Sequence, residues 1–334
     1  MSSPFPSVSP PSFPAPDMAL HALHGETMGT NWSVRLIASP REDLHALHAL
    51  IQAELDRVVA QTSTWETESD ISRFNRAQAG HWQVLPDAFF TVLRCALDIA
   101  EASEGAFDPT VGPLVGLWGF GAHAQSRAVP DDDRRDSTRQ QVGWRRLVLD
   151  ADHRRLLQPG GVQLDLSAIA KGHAVDAVAE ALRAHGLAAA LVEVGGELFG
   201  YGRKPDGERW RVLIESSPDE EEAAGLEPRI AVIDDLAVAT SGDRWHWFEQ
   251  AGERYTHTLD PRTGKPVSSE RAAVTVLAPT AMEADGWATA LTVLGADAGL
   301  ALAERRGIAA RFVVREGDTL AERASSRFAS HLAA

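Results

Sequence analysis

Asp285 and Thr289 lie four residues apart behind Thr280-Ala-Met-Glu283, a capping box that fixes where a helix begins. That spacing stacks a carboxylate and a hydroxyl one turn apart on one face, beside apolar Ala284, Ala288 and Leu291. On an ordinary solvated helix such a pair is a local hydrogen bond. As a ligand pair it offers oxygen only, which suits a hard cation. Mg2+ characteristically takes one or two protein oxygens and completes its octahedron with water and substrate phosphate. Lys171 starts another helix, where the dipole disfavours a cation unless an anion sits there too. His257 reads as a strand residue two positions before a tight turn, a place where histidine is commonly half-buried and structural. With an ordinary pKa near ~6.5 it is also the obvious general base close to neutrality. Asp243 in Ser-Gly-Asp and Asp260 before Pro261 are ordinary turn chemistry.

The element that must position these groups spans residues 162–186. Val162-Gln-Leu-Asp-Leu166 alternates as a strand should, and Ser167-Ala-Ile-Ala170 makes a turn of small residues. The helix from Lys171 then carries Ala174, Val175, Val178, Ala181 and Leu182 on one face until Gly186 ends it. Asp165, the small-residue turn and Lys171 therefore meet where a helix N-terminus points unpaired N–H groups outward, a natural seat for phosphate.

Around this corner the pattern predicts a strand over 26–37 entered through a Gly turn. It then predicts an amphipathic helix from a capping box at Ser39-Pro-Arg-Glu42, a polar loop over 62–75 and a helix over 86–103. Residues 105–121 are rich in Gly and Pro yet strongly apolar, as irregular backbone packed under something flat would be, or a buried connector. Residues 122–139 read as a charged, mobile excursion and 147–157 as a hairpin. Strands follow at 188–194, 210–215, 229–233, 236–240, 254–259 and 272–277, with an acidic loop at 218–228, a helix at 280–294 and a last strand at 309–314. The mixture predicts an α+β fold of mixed sheets with flanking helices and intertwined subdomains.

Composition narrows the function. Over 334 residues, 32 Lys and Arg face 47 Asp and Glu, a net charge of −15, which argues against nucleic acid or an anionic membrane as partner. The single cysteine, Cys95, sits in an apolar helical pattern, so disulfides and cysteine metal sites are out. No apolar run approaches the ~18 residues that membrane insertion needs. The Ser/Pro-rich start lacks a basic region or an apolar stretch, so we expect disorder over 1–24, a folded domain over 25–330 and cytoplasmic residence.

Eight segments in order resemble the FAD:protein FMN transferases of the ApbE type. They are Met28-Gly-Thr30, Ser63-Thr-Trp65 with residues 69–75, Phe107-Asp-Pro-Thr-Val-Gly-Pro-Leu114 with Leu117-Trp-Gly-Phe-Gly121, Asp165-Leu-Ser-Ala-Ile-Ala-Lys-Gly172, Val194-Gly-Gly-Glu197, Ser241-Gly-Asp243, His257-Thr-Leu-Asp-Pro-Arg-Thr-Gly264 and Ala284-Asp-Gly-Trp-Ala-Thr-Ala-Leu291. The resemblance runs from about residue 25 to 315. It implies an ApbE-like, T-fold-like architecture with an FAD and Mg2+ site between subdomains. It also implies a Mg2+-dependent enzyme that breaks the FAD pyrophosphate and joins FMN through a phosphoester to a Thr or Ser hydroxyl of an acceptor flavoprotein, releasing AMP. By motif, Met28, Ala106, Phe107, Asp108, Asp165, Lys171 and the Leu259 backbone would hold FAD. The Ala168 carbonyl, Asp285 and Thr289 would bind the metal, with His257 as base and Asp285 also counted as catalytic. Two features depart from the family: the exported, lipid-anchored relatives carry a lipobox cysteine that is not visible here, which leaves periplasmic residence as the alternative, and 122–139 looks like an insert. A Mg2+-dependent FAD pyrophosphatase and a flavin carrier without turnover are the competing readings.

Overall fold

The chain is organised by an eight-stranded antiparallel sheet whose strands lie side by side in the order in which the chain reaches them. They are β1 (Ala19–Thr27), β2 (Thr30–Ala38), β3 (Ala190–Val194), β4 (Glu197–Tyr201), β5 (Leu236–Gly242), β6 (Ala273–Ala278), β7 (Ala309–Glu316) and β8 (Thr319–Ala324). The computed structural model describes residues 18–122, 124, 127–214, 225–242, 247–268, 273–317 and 319–332. The disorder expected for residues 1–17, most of the acidic loop at 218–228 and Asp243 fall outside them.

Alternation along the strands sends side chains to two cores. Trp32, Val34 and Leu36 of β2 and Val274 and Val276 of β6 face one side; Ile37 and Leu277 face the other. The first side is covered by α1 (Leu44–Thr62), α6 (Ala170–Ala184), α7 (Ala281–Leu294) and α8 (Ala296–Arg306). A hairpin pairing Trp210–Ile214 with Arg229–Ile233 packs Trp210, Ile214, Ala231 and Ile233 onto the second. Between β2 and β3 the chain also forms α2 (Asp70–Arg76), α3 (Asp87–Ala102), α4 (Gly112–Leu117), α5 (Asp132–Arg139) and a three-stranded sheet of Trp82–Val84, Arg155–Leu157 and Val148–Asp150. Of these, α2, α3 and the small sheet build a separate cluster in which each fully buried side chain, such as Phe89, Val92 or Leu93 of α3, is worth about 1.5–3 kcal/mol. Helices α6 and α7 serve both clusters, α6 through Ala170 and Ala174, α7 through Ala284 and Ala290. The α+β class holds, and this sharing is why no linker punctuates the sequence.

Several expectations need correction. Residues 19–24 are not disordered: β1 pairs with β2 from Ala19, although its Ala-Leu-His run lacks the β-branched residues that signal a strand. Helix α1 starts at Leu44, capped by Asp43, which accepts from the His45 and Ala46 N–H groups, while Ser39 closes a separate turn with Glu42. The polar loop at 62–75 contains α2, and part of the excursion at 122–139 is α5, whose Asp131 cap accepts from Arg134. Residues 162–166 keep the buried-exposed alternation but join no ladder. The Asn75 side-chain amide stands in for a neighbouring strand, donating to the Leu164 carbonyl at 2.9 Å and accepting from its N–H at 2.7 Å. Strand β4, strand β8 and helix α8 were not foreseen.

Candidate active site

Two hairpin tips form one wall of a cavity of about 590 Å³, well within the range of small-ligand sites. The β1–β2 turn has only two residues, Met28 at φ 50° and Gly29 at φ 70°, so Met28 occupies a left-handed conformation that favours glycine. The β3–β4 turn is Gly195-Gly196, at φ 60° and 102°. A Cβ on Gly195 would stand 2.8 Å from Thr30 Cγ2 and 3.4 Å from Lys171 Cδ, so this turn must be bare to let the two tips and the lysine meet.

The opposite wall is the crossing of α6 and α7. A Cβ on Gly172 would lie 2.2 Å from the Ala281 carbonyl oxygen, so the two helix starts touch backbone to backbone. Each caps the other. Asp285 Oδ2 on α7 accepts from the Gly172 N–H on α6 at 3.0 Å, and Asp176 on α6 accepts from the Ala281 and Met282 N–H groups at 2.8 and 2.9 Å. Burial pushes the Asp176 carboxyl up to about 7, against the pull of those two bonds. Before α6, the Asp165 carboxylate accepts from the Ser167 N–H at 2.9 Å and shapes the loop that carries Ala168.

Lys171 reaches out of the first turn of α6 to Glu197, with Nζ 2.5 Å from Oε1. Burial works to lower its pKa, but the carboxylates of Glu197 and Asp285 outweigh it and hold the ammonium above the ordinary lysine value. Desolvation raises both carboxyls, opposed in each by Lys171. Thr289 Oγ1 lies 3.1 Å from Ser241 Oγ on β5. Asp108 is buried, and burial likewise raises its carboxyl. It accepts from Thr110 N–H and Oγ1–H at 2.8 and 2.6 Å and from Trp144 N–H at 3.0 Å, so its carboxylate first of all fixes the loop that holds Ala106 and Phe107.

The floor comes from 257–264. His257 is not on a strand but at the bend between the strands Glu253–Thr256 and Leu259–Asp260, edge-on to Phe120 with ring centres 6.4 Å apart. Leu259 is buried against Leu114 and Trp118, and Trp118 donates its indole N–H to the Gly264 carbonyl at 2.9 Å. This gives the apolar Gly/Pro stretch its reason: it packs under the His257–Gly264 segment.

All eleven residues singled out from the sequence line this one cavity: Met28, Ala106, Phe107, Asp108, Asp165, Ala168, Lys171, His257, Leu259, Asp285 and Thr289. Their roles remain matters of chemistry rather than of placement. Among the other lining residues, two that could take part in the chemistry were not singled out. Glu197 was visible only as the end of a Gly-Gly-Glu segment, and Trp65, 68% exposed at the rim, looked like one aromatic in a polar loop.

Among the described residues no group of three or more His, Cys, Asp or Glu could hold a metal. The donors on hand, buried Asp285, Thr289 one turn on and the Ala168 carbonyl just before α6, are oxygens supplied sparingly. Such a set fits Mg2+, which draws its remaining ligands from water and phosphate, and misfits Zn2+. No helix among the described residues is long and apolar enough to cross a membrane.

Comparison with known proteins gives one answer. A family model, ApbE, matches residues 28–312. A FAD:protein FMN transferase of Klebsiella pneumoniae is 36% identical over 329 residues, covering 98% of this chain and 93% of that protein. The apo crystal structure of Pseudomonas stutzeri flavinyl transferase ApbE superposes with a TM-score of 0.87 at 39% identity, over 95% of this chain and 98% of that one. The flavin transferase ApbE from Vibrio cholerae gives 0.85 at 37%, over 94% of this chain and 100% of that one. Matched over nearly its whole length in both sequence and fold, the chain belongs to the ApbE family.

Proposed function

We propose that this protein is a flavin transferase that cleaves FAD and attaches the FMN half, through a phosphoester, to a Thr or Ser hydroxyl of an acceptor protein, with AMP as leaving group and Mg2+ as cofactor. The observation that carries the reading is the convergence of a lysine, a helix start, a sparse oxygen donor set and a histidine on one cavity of dinucleotide scale, in a chain whose relatives bear that activity in their names.

The acceptor oxygen attacks the FMN-side phosphorus as the bond from that phosphorus to the bridging oxygen breaks. AMP keeps the bridging oxygen, and His257 takes the hydroxyl proton. Lys171, in the first turn of α6, faces the charge that spreads over the phosphoryl oxygens. Asp285, Thr289 and the Ala168 carbonyl would hold Mg2+, which would supply further neutralisation of that charge. Met28, Phe107 and the Leu259 backbone orient the flavin, so most of the rate comes from positioning. The exposed indole of Trp65 at the rim offers a stacking face to one of the two ring systems.

The test is incubation with FAD and Mg2+, with and without an acceptor bearing a Thr/Ser flavinylation motif, following AMP and the acceptor's intact mass. A gain equal to FMN less water, lost with EDTA and in His257→Ala, is expected. AMP and free FMN with the true acceptor left unlabelled would replace the transferase by a pyrophosphatase, and bound FAD without AMP would leave a flavin carrier.

A further inference from the structure

Glu197 is the least explained group in the cavity. It is 3% exposed, and its Oε2 is buried with no hydrogen-bond partner among the described residues. Removing a carboxylate from water is costly, and a glutamine or an apolar residue of similar size would serve packing better. Its position is also built with care. The Gly195-Gly196 turn places it directly after the hairpin tip, paired with Val194, so that Oε1 meets Lys171 Nζ.

Lys171 has two carboxylates to choose from. Asp285 lies close enough to perturb it, yet the ammonium is within ion-pair distance of Glu197 alone among the described carboxylates. A lysine is a point charge on a flexible four-carbon stem and settles on whichever anion is presented best. Were it to settle on Asp285, it would occupy the carboxylate that the metal needs. We infer that Glu197 is a positioning residue that holds Lys171 away from Asp285, keeping that carboxylate open to a divalent cation while the ammonium faces the phosphate of the substrate. This inference rests on the transferase reading and adds a division of labour to it. Glu197 acts through the lysine, deciding which anion the ammonium serves.

The test is Mg2+ binding by calorimetry, in the presence of FAD, for the wild type, Glu197→Gln, Glu197→Asp, Lys171→Met and the Glu197→Gln/Lys171→Met double variant. FAD binding in EDTA is followed in parallel by flavin fluorescence. Loss of an outer-shell partner commonly weakens metal affinity about 10–100-fold, and at least tenfold is expected for Glu197→Gln. Glu197→Asp, which keeps the charge but shortens the reach, should fall between it and the wild type. In the Lys171→Met background there is no ammonium left to stray, so adding Glu197→Gln should change Mg2+ affinity by less than about twofold. Equal losses in both backgrounds would show a merely structural role and overturn the inference, as would wild-type affinity in Glu197→Gln. A wild type that binds FAD and Mg2+ and labels an acceptor, with an unaffected Glu197→Gln, would defeat this inference alone. A wild type that binds no FAD would defeat the transferase reading as well.

Discussion

Replacing Gly172 by alanine places a methyl carbon 2.2 Å from the Ala281 carbonyl oxygen and 2.8 Å from Met282 Cα. Both obstacles are backbone at the start of α7, so no side chain can swing aside. Reaching an ordinary contact of about 3.5 Å requires the two helix starts to part by roughly 1.3 Å. Overpacking alone costs about 1–3 kcal/mol. The same movement stretches the bond from the Gly172 N–H to Asp285, and a hydrogen bond to a charged group is worth about 1.5–3 kcal/mol. A loss of about 3–6 kcal/mol is expected, against a total stability of only about 5–15 kcal/mol. In a protein of this size, that lowers the melting temperature on the order of 10 °C. The displacement also moves Asp285 relative to Lys171, and an error of about 1 Å in a positioned group can cost about a hundredfold in rate. The assay is thermal unfolding alongside AMP release, with Gly116→Ala as control. Gly116 lies in α4, has no positive φ and leaves open space where the methyl would go, with nothing within 4 Å, so that change should be neutral or stabilising. A Gly172→Ala protein with wild-type melting and turnover would refute the backbone contact and the reciprocal capping built on it.

Three other outcomes are expected. Asp176 has its carboxyl raised to about 7 by burial, above its unfolded value, so between pH 4 and 7 the folded state holds the extra proton and stability falls as pH rises through that window. Asp176→Asn should flatten this slope in unfolding measurements, and an unchanged slope would count against it. Trp65→Ala should leave the melting temperature alone but weaken FAD binding by about 5–150-fold, the value of one stacked base at about 1–3 kcal/mol, as read by flavin fluorescence; unaltered affinity would remove Trp65 from the site. Asp285→Ala should abolish Mg2+-dependent AMP release, and retained activity would sink the metal assignment.

The site was more legible in the sequence than the fold was. Asp285 and Thr289 could be found because a capping box fixes helical phase, and phase fixes which residues share a face. His257 and Leu259 were legible as residues of a motif, although the bend that turns His257 into the cavity was not. What escaped were features that depend on partners distant in sequence. The residues at 162–166 alternate as a strand does, but their hydrogen bonds go to the Gln158 and Asn75 side chains and to the Pro109 carbonyl, so periodicity reported burial correctly and pairing wrongly. Ser39 and Glu42 have the spacing of a cap, yet Asp43 next door does the capping, since local propensity cannot rank adjacent candidates. Nothing in the sequence singles out Asp176. Only the crossing of α6 over α7 makes it the cap of a helix more than a hundred residues later.

That crossing ties stability to chemistry. One carboxylate, Asp285, both caps α6 through its Oδ2 and belongs to the donor set proposed for Mg2+. A cation bound there favours the ionised carboxylate, a better acceptor for the cap than the protonated acid, so each reinforces the other against the burial that raises its pKa. Because the donors come together only in the folded chain, binding must stabilise the fold, by about 2.7 kcal/mol at a hundredfold excess over Kd. Asp285→Asn separates the two roles: the amide oxygen can still accept from Gly172, while the ligand charge is gone. Its melting temperature without Mg2+ should stay near that of the wild type, and the increment that Mg2+ and FAD add together should shrink or vanish. An Asp285→Asn protein that gains as much from Mg2+ and FAD as the wild type would show that the cation is held elsewhere.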